Sequence, residues 1–129
     1  MRNIYIIEKY QFVHNELHLS LNEKQSGIQF QPAGQVLTDS DHLAFIYLLE
    51  EAGEYSYLYL PQELWSALVR VLNSEQNPYL IINEKKIELE NFNEELHTLL
   101  FNIEGNENYG EQFVEAVESA FSEILKQEQ

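Results

Sequence analysis

The hydrophobic period of this chain changes once, near Leu60-Pro61, and that change limits the folds open to it. Upstream, apolar residues alternate with polar ones or run in short blocks rich in Ile, Val, Tyr and Phe, as strands do. Downstream they recur at helical spacing. Such a chain covers one side of a sheet with helices. The expectation is an α+β fold: a mostly antiparallel sheet built from N-terminal hairpins, packed against three helices from the C-terminal half. A chain of 129 residues has room for one such core, so residues 1–129 read as a single domain.

Residues 4–13 read as a long strand, and His14-Asn15-Glu16 as a tight connection. Leu17, Leu19 and Leu21 then alternate with His18, Ser20 and Asn22, the signature of a half-buried strand. Residues 22–27 carry turn chemistry, residues 28–31 suggest a short strand, and Pro32-Ala33-Gly34 is expected to break it. The run at 43–49 is apolar on both faces and reads as a central strand covered on both sides. Residues 50–53 supply a turn, and 55–60 run back as its hairpin partner. Tyr55, Tyr57 and Tyr59 share one face of that second arm.

Pro61 is suited to a first helical position, with Leu64, Trp65, Leu68, Val69 and Leu72 as the apolar stripe that follows. Residues 79–82 and 86–89 form a small hairpin pattern around Asn83-Glu84-Lys85. Asn91 and Glu94 fit a capping box ahead of Phe92, Leu96, Leu99, Leu100 and Ile103. Gly105 is a natural stop. Asn108 and Glu111 repeat the capping pattern before Phe113, Val117, Ala120, Phe121 and Ile124.

Charge narrows the function classes. Seven Lys and Arg stand against 22 Asp and Glu, a formal net charge of −15. Nucleic acid is therefore an improbable ligand, because phosphate binding needs clustered cations, and anionic lipid is disfavoured for the same reason. Between Ile87 and Leu125 there are ten glutamates and no Lys or Arg. Glu111, Glu115 and Glu118 share one helix face, and each like-charge pair of this kind costs roughly 0.2–0.5 kcal/mol. Packing must hold that helix. With no cysteine, the chain has neither disulfides nor thiolate chemistry. The first nine residues lack a signal-peptide pattern, and no apolar run approaches the roughly 20 residues of a spanning helix, so a cytoplasmic protein is expected.

Along residues 34–47 (Gly34-Gln35-Val36-Leu37-Thr38-Asp39-Ser40-Asp41-His42-Leu43-Ala44-Phe45-Ile46-Tyr47) the chain resembles a small uncharacterised family of Gram-positive bacteria. The likeness continues at Tyr57-Leu58, Leu60-Pro61 and Trp65, and at Gly105-Asn106 with Asn108-Tyr109-Gly110. The resemblance implies a cytosolic one-domain bacterial protein. It brings no activity and no catalytic residues.

Thr38-Asp39-Ser40-Asp41-His42 is the densest polar cluster. A His beside carboxylates can act as a general base or metal ligand, whereas Asp and Ser equally close a turn into the next strand. Counted as an EF-hand from Asp39, the segment fails, since Leu43 and Ala44 occupy positions that need a ligand and a Gly. His14, Glu16 and His18 lack the zinc-protease pattern, and the alternating leucines make a strand that places His18 on its exposed face. Glu94 and His97 match half of a di-iron helix motif that has no second copy. Neither a metal nor a cofactor is expected. Trp65 with Tyr47, Tyr57, Tyr59 and Tyr79 fits either a core or an aromatic docking patch. No phosphate loop, dinucleotide fingerprint or nucleophile elbow occurs.

The reading that results is a non-catalytic acidic interaction module for a basic protein partner, with Asp39, Asp41, His42, Tyr57 and Trp65 as candidate binding residues. The alternative is a small hydrolase or ligand-binding enzyme centred on Asp39, Asp41 and His42. A nucleic-acid mimic or toxin-neutralising protein is a further alternative. Oligomeric state is not encoded legibly.

Overall fold

The computed structural model describes residues 3–21, 29–82 and 84–127. The turn expected at 22–27, the start of the short strand at Ile28, and Asn83 of the small hairpin lie outside the described residues.

Seven strands form one mixed sheet: β1 (Asn3–Val13), β2 (Glu16–Leu21), β3 (Phe30–Asp39), β4 (Ala44–Glu51), β5 (Glu54–Pro61), β6 (Tyr79–Ile82) and β7 (Lys85–Glu88). Their spatial order is β3-β4-β5-β1-β2-β6-β7. The hairpins β1–β2, β3–β4, β4–β5 and β6–β7 are antiparallel, as local pattern predicts. Two pairings are not: β1 runs parallel to β5, and β2 parallel to β6. The sheet expected to be mostly antiparallel is therefore a mixed one, antiparallel within its hairpins and parallel at these two pairings. Parallel neighbours need a long connection: β2, β3 and β4 intervene between β1 and β5, and β3, β4, β5 and α1 (Trp65–Ser74) between β2 and β6. Strand pattern reports which residues pair with water or core, not which distant strand lies alongside.

Local turn chemistry explains the hairpin ends. His14 (φ 51°) and Asn15 (φ 69°) both adopt left-handed backbone between the paired residues Val13 and Glu16, the two-residue geometry that matches strand twist. A second correction concerns Pro32-Ala33-Gly34. The strand continues through these residues as β3, with its register shifted between Pro32 and Val36 and Gly34 at φ 74°. β3 is an edge strand, where a proline and a bulge are both tolerated.

Four helices follow rather than three: α1, α2 (Phe92–Ile103), α3 (Glu111–Ala120) and α4 (Ser122–Leu125). The expected last helix is interrupted at Phe121 (φ −108°, ψ 23°), which is fully buried, as is Ile124 just beyond it. Capping also departs from expectation. Asn91 is in left-handed backbone (φ 66°) and its side chain caps nothing. Gly110, not Asn108, precedes α3, while the Asn106 side chain accepts from the Asn108 N–H in a short 3₁₀ turn. Pro61 ends β5, and a 3₁₀ turn at Gln62–Leu64 leads into α1.

The core lies between the helices and one face of the sheet. Phe45, Tyr47 and Leu49 of β4, with Leu58 and Leu60 of β5, meet Trp65, Leu68, Phe92, Phe113 and Phe121. The Phe45 ring lies 5.2 Å from Trp65 and 5.8 Å from Phe113 between centroids. All six residues from Ala44 to Leu49 are buried. Phe45, Tyr47 and Leu49 lie under the helices and Ala44, Ile46 and Leu48 among the side chains of the opposite face, so the run is buried on both faces although helices cover only one. Tyr47 is fully buried with its hydroxyl satisfied: it donates to the Glu90 carbonyl (2.7 Å) and accepts from the Gly34 N–H (3.1 Å). Trp65→Ala should destabilise the fold by about 3–5 kcal/mol, read as a lowered denaturant midpoint with an unchanged slope.

Candidate functional site

The polar cluster at 38–42 folds as the turn between β3 and β4. Asp39 ends β3 and caps a 3₁₀ turn at Ser40–His42, its Oδ1 accepting from the His42 N–H (3.2 Å). Leu43, at φ 49°, closes the turn. The second carboxylate oxygen accepts from the Tyr59 hydroxyl (2.6 Å) and lies 2.9 Å from His42 Nδ1. Ser40 Oγ donates to the Tyr109 carbonyl (2.7 Å), tying the turn to the helical half. Burial pushes the Asp39 carboxyl upward, but the Tyr59 hydroxyl and the His42 ring and backbone outweigh it and hold Asp39 below the usual carboxylate value. The same bond to Asp39, with desolvation behind it, pushes Tyr59 up to about 12.

Chemically, an imidazole oriented by a carboxylate resembles the base of a hydrolase. Its surroundings are open, however: the His42 side chain is 73% exposed. The nearby Ser40 hydroxyl is directed at Tyr109. Asp41 is exposed and acidic in the first turn. Of the candidate residues, the structure joins Asp39 to His42 and adds Tyr59, which the sequence offered only as part of an aromatic set.

That aromatic set is divided. Trp65, 1% exposed, belongs to the core with Tyr47, so it presents nothing to a partner. Tyr57 and Tyr59 lie on the opposite side of the sheet from the helices. Residues paired across a sheet share a face, and Tyr57 pairs with Leu48 and Ile4 while Tyr59 pairs with Ile46 and Ile6. Tyr79 is elsewhere, edge-on to His18 and under the Lys86 ammonium at 4.6 Å. His18 itself, expected on the exposed face, is only 15% exposed and bonds Glu16 (3.0 Å).

A shallow groove is lined by Glu75, Asn77, Asn91, Asn93, Glu94, His97 and Thr98. Asn93 is fully engaged by its own chain: its amide donates to the Val71 and Gln76 carbonyls, its N–H to Asn77 Oδ1, and its Oδ1 meets His97 Nδ1. His97 stacks on Phe101. Among the described residues, no three His, Asp or Glu converge in a way that would hold a metal ion. Residues 5–121 match the model of a family described as one of unknown function, UPF0738.

The chain belongs to the UPF0738 family. A UPF0738 protein of Lysinibacillus sphaericus is 49% identical over 125 residues, covering 97% of this chain and 98% of the relative. A UPF0738 protein of Bacillus licheniformis is 38% identical over 109 residues (84% and 90%). One from Staphylococcus epidermidis is 47% identical over 91 residues (70% and 75%). The resemblance to an uncharacterised Gram-positive family is therefore correct. No solved structure matches the chain.

Sequence reasoning missed one further polar hub. Glu51, at the end of β4, accepts from Asn3 Nδ2, the Tyr5 hydroxyl and Ser56 Oγ at 2.9–3.2 Å. Nothing in local pattern links residues 48 positions apart.

The Asp39–Tyr59 bond predicts two limbs of pH dependence. Asp39, depressed, contributes stability above its unfolded value that is lost as pH falls through its lower folded value. Tyr59, raised, contributes stability below its unfolded value of 10.0 that is lost as pH rises through about 12. In Asp39→Asn, NMR titration of the Tyr59 ring should show its midpoint returning toward 10.

Proposed function

We propose that this protein is a non-catalytic, cytoplasmic interaction module whose acidic surface recruits a basic protein partner. The observation that carries this reading is where the ten glutamates of the C-terminal half sit. Glu88, Glu90, Glu94, Glu104, Glu107, Glu111, Glu115 and Glu123 are exposed, and Glu95 and Glu118 half-exposed. Where they have partners, those partners are neutral: Asn77 for Glu88, the Val36 N–H for Glu95, the Gly105 N–H for Glu118 and Asn73 for Glu123. Carboxylates left facing water without cations keep their field, and a surface field of one sign raises the association rate of an oppositely charged partner. Among the described residues, no helix is long and apolar enough to cross a membrane.

Two measurements bear on this. Capture of partner from native cytosol should fall steeply between roughly 50 and 500 mM salt, and also in Glu107→Gln/Glu111→Gln/Glu115→Gln. Capture unchanged by both would overturn the reading. Independently, self-repulsion at −15 predicts that moderate salt raises the melting temperature. A flat or falling midpoint would show that the carboxylates are not repelling one another.

A further inference from the structure

The helices cover one face of the sheet and leave the other open. On that open face two cross-strand rows lie side by side. The first is Leu37, Ile46, Tyr59 and Ile6, and the second is Leu48, Tyr57 and Ile4. Ile46 and Leu48 are buried among their neighbours, but Ile4 and Ile6 are 55% and 51% exposed. Covering such side chains removes apolar area from water, so two adjacent ones left half exposed mark a surface that another molecule can gain by covering.

Carboxylates stand at both ends of the rows. Asp39, paired with Ala44, shares this face at one end, with exposed Asp41 beside it in the turn. At the other end Glu50, exposed, pairs with Tyr55, itself 49% exposed. Among the described residues, Lys9 is the one cation of β1, and it lies beyond the stretch that pairs with β5. A second copy of this chain would bring the same carboxylates against these and be repelled. A cationic partner would not.

We infer that the open face of β4, β5 and β1 is the docking platform for a protein segment that carries apolar side chains flanked by Lys or Arg. The apolar anchors cover Ile4 and Ile6, and the flanking cations meet the carboxylates at the ends and the face of Tyr55. This inference rests on the acidic-module reading and adds a division of labour to it. The helical glutamates speed encounter from a distance, and the open face sets how long the complex lasts.

The test uses the full chain and a 12-residue peptide of alternating Leu and Lys as probe, with an all-Lys peptide of the same length as control. Amide shifts mapped by NMR should centre on residues 4, 6, 46, 48, 57 and 59. Ile4→Ser/Ile6→Ser, both at exposed positions and so expected to keep the melting temperature, should raise the off-rate about tenfold or more. Glu107→Gln/Glu111→Gln/Glu115→Gln should lower the on-rate and leave the off-rate nearly unchanged. Shifts on α2 and α3, or equal binding of the all-Lys peptide, would overturn the platform while sparing the acidic module. Absence of binding by either peptide would count against both. A dimer in sedimentation that Ile4→Ser/Ile6→Ser dissolves would overturn the platform by making the face a contact between copies.

Discussion

Everything else in this fold depends on β1 serving two neighbours in succession. Its first residues, Asn3 to Ile6, pair with β5, and from Ile7 onward it pairs with β2. The register shift between Ile7 and Lys9 lies at the changeover. Because side chains alternate along a strand, one extra residue moves everything after it to the other face. Tyr5 and Ile7 therefore point to the core before the bulge, and Phe12 does so after it. Without that shift, Lys9 and Gln11 rather than Tyr10 and Phe12 would lie beside Leu19 and Leu17 on the core face. The Glu51 carboxylate adds a polar pin at the same place, gathering Asn3, Tyr5 and Ser56.

Much of this was readable in advance wherever the physics is local. The β4–β5 hairpin, the tight connection after Val13 and the β1–β2 and β6–β7 pairings follow from period and turn chemistry. What escaped depends on partners far apart in sequence. The parallel pairs β1–β5 and β2–β6 have no local signature, and Pro32 looks like a stop until β3 is known to be an edge. On α1, Ala67 and Val71 are buried, whereas Val69, placed in the stripe by sequence, is only half-buried.

The candidate residues divide along the same line. Asp39 and His42 do meet, since they are three residues apart and a capping turn brings them together. Trp65 and Tyr57 are separated by the sheet itself, although both are aromatic and eight positions apart. An aromatic list cannot reveal which side of a strand looks at helices. Membership of UPF0738 agrees with the resemblance carried by residues 34–47, a segment that comprises the bulge of β3, the Asp39 turn and the most deeply buried strand. These are the features that set the architecture.

The sheet also ends in two well-guarded borders. On one side β3 carries Pro32 and a distorted register, and on the other β7 is four residues long and begins Lys85-Lys86. Proline, bulges and lysine each discourage a foreign backbone from zipping on as an extra strand. Recognition of this molecule must then run from side chain to side chain, and its margins resist runaway polymerisation.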